Sequence, residues 1–263
     1  MSRIISVINQ KGGVGKTTIA FNLAKGLSNK GFKVLILDND PQGNLTCSLL
    51  EDPRKMKADI IDFYQNNFSK VKPERIDENL DFIGANIHLS KVSDGRLDEA
   101  YFLQEGLEIF DSIYDYIIID CNPSLGFLNM SALIPTDHVL IPIKPAPFAV
   151  IGLHDLFDTI NRIKKRINKK LNILGIILND VNGRKTIIEE EVEDVLRNDY
   201  PDLVFKSVIP HSVSMVESPT QQKSIMEYNP KSKQAFHFII FLEELIGRLW
   251  LIKEECLQNQ QNQ

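Results

Sequence analysis

Residues Lys11-Gly12-Gly13-Val14-Gly15-Lys16-Thr17-Thr18 follow the apolar run Ile4-Ile5-Ser6-Val7-Ile8 and precede the helical pattern Ile19-Ala20-Phe21-Asn22-Leu23-Ala24. A glycine-rich loop between a buried strand and a helix is the context of a phosphate-binding loop. The glycines let backbone N–H groups approach phosphate oxygens, and the helix N-terminus adds partial positive charge. In such a loop Lys16 reaches the β- and γ-phosphates and the Thr17 hydroxyl binds Mg²⁺. The stretch therefore predicts a P-loop nucleotide site.

The loop departs from the general pattern G-x-x-x-x-G-K-[ST] at its first position. That pattern requires glycine at position 10, whereas the chain has Gln10 and carries a second lysine, Lys11, inside the loop. The substitution indicates a particular class of nucleotide switch.

The composition is that of an ordinary globular protein and excludes several other classes. Of the 263 residues, 43% are hydrophobic and 25% are charged, and the net charge of −5 argues against a general polyanion binder. The cysteines, Cys47, Cys121 and Cys256, show no metal-site spacing, so we expect reduced thiols in a cytosolic protein. We find no signal-peptide pattern and no apolar run of about 18 residues, the length that a membrane span needs.

Short β-branched runs alternate with longer helical patterns along the chain. The alternation predicts an α/β fold with a doubly wound, mostly parallel sheet, in which ligand binds at the carboxyl ends of the strands. We expect one domain over residues 1–256 and a disordered tail over 257–263, with a surface excursion near 55–75. The predicted strands are 4–9, 34–38, 80–84, 116–120, 138–143, 173–179 and 204–209, and the predicted helices are 16–29, 58–64, 97–113, 153–170, 186–197 and 233–256.

Acidic residues end two of the predicted strands. The string Asp38-Asn39-Asp40-Pro41-Gln42-Gly43-Asn44 forms a tight turn, where an acid can hold Mg²⁺ or orient an attacking water. The apolar run 116–119 ends in Asp120, the Walker B pattern, so Asp120 is expected to bind Mg²⁺ through water or through Thr17. Asp38 is expected to support the turn that presents Asp40.

Taken together, these motifs resemble the ParA/Soj partition ATPases of the deviant Walker A (MinD/ParA) superfamily, in the small form without an N-terminal helix-turn-helix. The likeness continues downstream. Residues 209–219, Ile-Pro-His-Ser-Val-Ser-Met-Val-Glu-Ser-Pro, are similar to the family's I-P-R-N-V-R-L-S-E-A-P, and residues 227–233, Glu-Tyr-Asn-Pro-Lys-Ser-Lys, are similar to its Y-D-P-K-S-K-G. The resemblance spans nearly the whole chain.

The resemblance implies roles for matching residues. Lys11 would reach the phosphates bound by a second subunit, with Gly13 at the close approach of a homodimer, and Asp40 would position the hydrolytic water. Catalysis would then involve Lys11, Lys16 and Asp40, and the Mg²⁺ ligands would be Thr17, Asp40 and Asp120. The implied ATP contacts are Lys11, Gly12, Gly13, Val14, Gly15, Lys16, Thr17, Thr18, Asn179, Pro210 and Ser212.

The chain departs from the family at a few positions. His211 and Ser214 replace two arginines that belong to the family's DNA-binding surface, Ser212 replaces an asparagine near the adenine, and Asn122 replaces a proline after Walker B. Each lost phosphate contact lowers DNA affinity. The basic residues that remain are Lys164, Lys165, Arg166, Lys169, Lys170, Lys223, Lys231 and Lys233, although such lysines can equally be a solvated helix face.

The function implied by this resemblance is an ATPase, weak until a partner stimulates it, that dimerises with ATP and drives chromosome or plasmid partitioning. Its expected partners are a ParB/Spo0J-like protein and non-specific DNA, and its expected place is the cytoplasm, associated with the nucleoid. The alternatives are a MinD-like membrane-associated ATPase and a ParA-like positioner of a protein cargo. Residues 238–252 could form an amphipathic membrane anchor, but their mixed charges favour a helix packed on the sheet, so we expect no stable membrane association.

Overall fold

Eight strands form one sheet in the computed structural model, which describes residues 2–261. The strands are β1 Arg3–Val7, β2 Val34–Asn39, β3 Glu74–Asp77, β4 Leu80–Ile83, β5 Tyr116–Cys121, β6 His138–Ile143, β7 Asn172–Val181 and β8 Val204–Pro210. The order across the sheet is β3-β4-β2-β5-β1-β6-β7-β8, and all pairings except β3 with β4 are parallel. This confirms the predicted α/β fold with its mostly parallel sheet.

Helices cover both faces of the sheet, and each central strand contributes to both apolar layers. In β5, Ile117 and Ile119 pack into one buried cluster, whereas Ile118 packs into the cluster on the opposite face. This accounts for the uninterrupted apolar run, because a strand covered on both faces has no polar side. The helices are α1 Lys16–Asn29, α2 Asn44–Leu49, α3 Ile61–Tyr64, α4 Phe102–Glu108, α5 Phe127–Leu133, α6 Ala149–Arg166, α7 Ile187–Asp199, α8 Val213–Glu217, α9 Ile225–Tyr228 and α10 Lys233–Gln261.

The predicted helix over 97–113 is wrong in its extent, since α4 covers only Phe102–Glu108. After α4 the chain leaves the helix towards Ser2, which precedes β1 and whose hydroxyl lies 2.7 and 2.8 Å from the carbonyl oxygens of Asp111 and Tyr114. Asp111 also accepts a hydrogen bond from the backbone N–H of Ser2. These contacts with distant parts of the chain outweigh the local helical pattern.

The polar excursion ends in an edge strand that the pattern did not predict. Strand β3 pairs antiparallel with β4, and its alternating exposure reflects one face turned to solvent. Arg75 of β3 bonds Asp81 of β4 across this pair. A short, charged edge strand of this kind discourages further strand pairing.

The last helix packs on the sheet, as the mixed charges of its sequence predicted. Phe238, Phe241, Leu245 and Leu249 of α10 are buried in the same apolar cluster as α1. The helix continues to Gln261, so it extends into the segment 257–263 that we expected to be a disordered tail; residues 262 and 263 lie outside the described residues. Within residues 2–261, no helix combines the length and apolar character that crossing a membrane demands.

A buried histidine at the start of β6 makes stability depend on pH. His138 is buried, its Nδ1 lacks a partner within residues 2–261, and burial together with the nearby Arg3 lowers its pKa from 6.5 to about 4. The unfolded chain therefore binds more protons between these two values, so stability is complete above pH 6.5 and falls as the pH drops towards 4. We expect the wild type to lose about 2 kcal/mol through this group between pH 7 and pH 5.

Urea unfolding of wild type and His138→Gln at pH 7 and pH 5 measures this effect. The variant should show a smaller loss of unfolding free energy between the two pH values. An equal loss in both proteins would show that His138 does not carry this proton linkage.

Candidate nucleotide-binding site

The glycine-rich loop joins β1 to α1 with two glycines in the left-handed region. Gly13 has φ +73° and Gly15 has φ +86°, a conformation that side chains disfavour. A Cβ at Gly15 would lie 2.2 Å from Nδ2 of Asn179, which donates a hydrogen bond of 2.8 Å to the carbonyl of Val14. Glycine is therefore needed at position 15 both for the turn and for the close approach of β7.

Hydrogen bonds of Asn9 hold the start of the loop in place, and the two lysines of the loop, Lys11 and Lys16, lie in different environments. Asn9 donates to the carbonyl of Pro142 at 2.8 Å and accepts from the N–H of Lys11 at 2.9 Å. The Lys16 side chain is buried, and its ammonium donates to the carbonyl of Lys11 at 3.2 Å. Burial lowers the pKa of Lys16, while Asp120 opposes that shift. The Lys11 side chain is exposed.

The turn after β2 holds Asp40 through the buried carboxylate of Asp38. Asp38 accepts from the N–H of Asp40 at 3.1 Å, and from the N–H and the hydroxyl of Thr46 at 2.8 and 2.7 Å. Asp40 accepts from the N–H of Gln42 at 2.9 Å. Asp38 thus orders the turn, and Asp40 lies at the surface of the cavity described below.

Asp120 at the end of β5 is a buried acid that fits a site for a cation. Both of its carboxylate oxygens are buried without a hydrogen-bond partner in the described part of the chain. Burial and the neighbouring Asp38 raise its pKa well above the usual range, and only Lys16 and Thr17 counteract this. An unpartnered buried carboxylate costs free energy that a divalent cation nearby would offset.

A cavity of about 470 Å³ lies over the loop and gathers most of the predicted phosphate and metal residues. Asp120 lies beneath it, outside the lining, so a metal ion here would reach Asp120 through Thr17 or water. Lys11 and the buried Val14 are also outside the lining. The cavity is lined by Gly12, Gly13, Gly15, Lys16, Thr17, Thr18, Asp40, Gln42, Asn44, Cys47, Ser48, Pro123, Val216, Pro219 and Thr220.

A second cavity of about 280 Å³ brings together the three residues that the resemblance places near the adenine, Asn179, Pro210 and Ser212. It shares Gly13, Gly15, Thr18 and Val216 with the first cavity, so the two form one groove that extends from the loop to the end of β8. The remaining lining residues are Asp180, His211 and Met215.

Several site residues were not identified from the sequence. Residues of the segment 215–220 line the groove, and shortly after this segment the N–H of Ile225 donates a hydrogen bond of 2.7 Å to the buried Asn22 of α1. The similarity of 209–219 to the family motif was a signal for this segment. Asn9 and Asp180 had no such signal, since their roles depend on contacts between distant parts of the chain.

The chain is similar in sequence to known proteins over most of its length. The chain matches the AAA domain family over residues 2–173. It is 36% identical over 251 residues to the sporulation initiation inhibitor protein Soj of Bacillus subtilis (strain 168), covering 93% of this chain and 98% of that protein.

Solved structures share the same fold over almost the full length. Cobyrinic acid a,c-diamide synthase from Mycobacterium smegmatis, with bound ADP and magnesium, superposes with a TM-score of 0.80 at 30% identity, covering 95% of this chain and 96% of that chain. A plasmid partition protein from Borrelia burgdorferi gives a TM-score of 0.71 at 29% identity, covering 92% and 99%.

Proposed function

Because the chain belongs to the ParA/Soj family of partition ATPases, we propose that it is a positioning ATPase that binds Mg²⁺ and ATP and pairs with a second copy while the γ-phosphate is present. The observation that carries this proposal is a cavity lined by the buried Lys16 and by Asp40, which follows β2, with Asp120 close to Lys16 and its carboxylate without a hydrogen-bond partner in the described part of the chain. Solved relatives with bound ADP or an ATP analogue and magnesium support the choice of ligand.

Each residue of the groove has a task in this proposal. Backbone N–H groups of the loop bind the phosphates, and the Lys16 ammonium neutralises their charge. Thr17 would hold Mg²⁺ directly, with Asp40 and Asp120 contributing at the surface and from beneath; the ion would supply charge neutralisation at the phosphates. Asp40, held by the Asp38 turn, would orient the attacking water.

The position of Lys11 is the reason why we propose that two copies of the chain pair. It is exposed and lies outside the cavity lining, whereas Lys16 is buried within it. A lysine that serves the nucleotide of a second copy stabilises the pair only while the γ-phosphate is present. Hydrolysis removes this differential contact, so the pair separates.

The proposed cargo is a chromosome or plasmid, reached through non-specific DNA and a ParB/Spo0J-like partner that stimulates hydrolysis. Lys223, Lys231 and Lys233 are exposed, and they lie close in sequence to Gln234, which bonds the His211 carbonyl at the end of β8. In this proposal these lysines lie on the nucleotide side of the protein, and pairing would bring the lysines of two copies together to contact phosphates. This proposal places the protein in the cytoplasm, on the nucleoid.

Lys11→Ala should remove ATP-dependent pairing while sparing nucleotide binding. The Lys11 side chain makes no contact inside its own cavity, so we expect the dissociation constant for ATP to change less than about 3-fold. Sedimentation velocity with Mg²⁺ and ATP measures pairing, and Lys33→Ala, which removes another exposed lysine, is the matched control. A Lys11→Ala chain that still pairs would refute the role in trans.

Binding of DNA is tested separately. A gel shift with a random duplex should show a complex with ATP and none with ADP, and replacing Lys223, Lys231 and Lys233 by Ala should reduce the salt dependence of binding. A protein that pairs with ATP but binds no DNA in either state would favour a protein cargo.

A further inference from the structure

The strand β7 contains an irregularity next to the groove. Its register with β8 shifts between Asn179 and Val181, and the intervening Asp180 has φ +60°, although it is not glycine. A bulge of this kind turns a side chain away from the direction that the pleat would give it. Backbone strain at a non-glycine residue persists only where surrounding contacts hold it, and such residues concentrate at functional sites.

The contacts that hold Asp180 come from the ends of both neighbouring strands. One carboxylate oxygen bonds the ammonium of Lys144, which follows β6, and the other lies 2.5 Å from Nδ1 of His211, which follows β8. Burial alone would raise the pKa of Asp180, but the bonds from Lys144 and His211 lower it below its usual value. Asp180 is therefore an ionised acceptor.

This geometry determines which ring nitrogen of His211 carries the hydrogen. A carboxylate can only accept, so Nδ1 carries a hydrogen, and in the neutral form of the ring Nε2 is left as an acceptor. The backbone is fixed as well, since the His211 N–H donates to the Val181 carbonyl at 2.8 Å. The ring therefore offers one preorganised acceptor beside the groove.

The cavity next to His211 has the character of a nucleobase site. Pro210, Met215 and Val216 supply apolar surface for the faces of a ring, while Asp180 and His211 supply polar atoms for its edge. It joins the phosphate cavity through Gly13, Gly15 and Thr18. A nucleotide with its phosphates over the loop would extend its base towards this end.

We propose that the Lys144–Asp180–His211 chain selects the nucleobase, with Nε2 of His211 accepting a hydrogen bond from the exocyclic amine of adenine. Guanine presents a carbonyl oxygen at the corresponding position, and two acceptors repel each other. The inference rests on the proposed function, because it requires a nucleotide in the groove. It adds a specificity-determining residue to that function.

The substitution Asp180→Asn tests the hydrogen position directly. Asparagine tolerates the left-handed backbone. Lys144 can only donate, so it engages the amide oxygen and turns the amide N–H₂ towards His211. Nδ1 then accepts, the hydrogen moves to Nε2, and the acceptor becomes a donor. We expect the preference for ATP over GTP, as the ratio of dissociation constants, to fall about 10-fold in this variant.

Titration calorimetry at pH 8 with Mg²⁺ and either nucleotide measures this ratio for wild type, Asp180→Asn, His211→Ala and the control His88→Ala, whose histidine is exposed and lies outside both cavities. His211→Ala should weaken ATP binding without weakening GTP binding, and His88→Ala should match wild type.

Two failures can be told apart. If wild type binds ATP and pairs but both groove variants keep its ATP to GTP ratio, the inference is overturned and the proposed function stands. If wild type binds neither nucleotide, the proposed function falls and the inference falls with it.

Discussion

Lys16→Ala is expected to abolish nucleotide-dependent activity, with kcat/KM for ATP at least about 100-fold lower than in wild type. Lys16 is the cation buried in the cavity over the loop, where its interaction with phosphates is little screened by water. This ammonium is already largely removed from water in the free protein, because its side chain is buried and burial lowers its pKa, so binding phosphates requires little further reorganisation. Steady-state release of phosphate, together with ATP binding by calorimetry, measures both parts of the loss.

A matched control separates this effect from a general loss of charge. Lys30 follows the other end of α1, and its ammonium bonds Glu243 of α10 away from the groove. Lys30→Ala should therefore keep kcat/KM within about 2-fold of wild type, because surface ion pairs contribute little. Wild-type turnover in Lys16→Ala would show that Lys16 and its loop take no part in hydrolysis.

Asp40→Ala should separate hydrolysis from binding. We expect kcat to fall about 100-fold or more, because the group that orients the attacking water is removed, while the dissociation constant for ATP changes less than about 5-fold. The variant loses the hydrogen bond from the N–H of Gln42, but the turn should keep its shape, since Asp38 still accepts three hydrogen bonds, from the N–H of residue 40 and from the N–H and hydroxyl of Thr46. Single-turnover hydrolysis measures the chemical step independently of product release.

The outcome of Asp40→Ala also bears on the pairing cycle. A chain that binds ATP but hydrolyses it slowly should remain paired for longer, since the γ-phosphate persists. Hydrolysis at the wild-type rate would show that another group orients the water, and loss of ATP binding would show that Asp40 acts on the ground state.

The parts of the fold and site that sequence predicted are those set by local pattern. Buried parallel strands are apolar throughout, and their carboxyl ends meet at one edge, so Asp40 and the loop could be placed together without coordinates. The apolar pattern also predicted the end of β5 at Asp120, and the strand ends one residue later, at Cys121. That Asp120 lies beneath the cavity rather than on its wall depends on how β5 is covered, and the sequence carries no local signal for this.

Other features depend on contacts between distant residues. The predicted helix over 97–113 is too long because Asp111 and Tyr114 bond to Ser2, a contact between distant residues that local periodicity does not encode. At the bulge, Asp180 bonds to residues that follow β6 and β8, and these residues come close to Asp180 only because both strands flank β7 in the sheet. The arginine-to-histidine departure at His211 was visible in the sequence, but its pairing with Asp180 was not.

The central claim is that ATP controls pairing of this chain through Lys11. The most direct measurement is the mass of Asp40→Ala in solution by sedimentation velocity, with Mg²⁺ and either ATP or ADP. The account predicts twice the chain mass of 29.9 kDa with ATP, the mass of one chain with ADP, and one chain in both states when Lys11→Ala is added. The same mass with ATP and ADP, or a pair that survives Lys11→Ala, would contradict it.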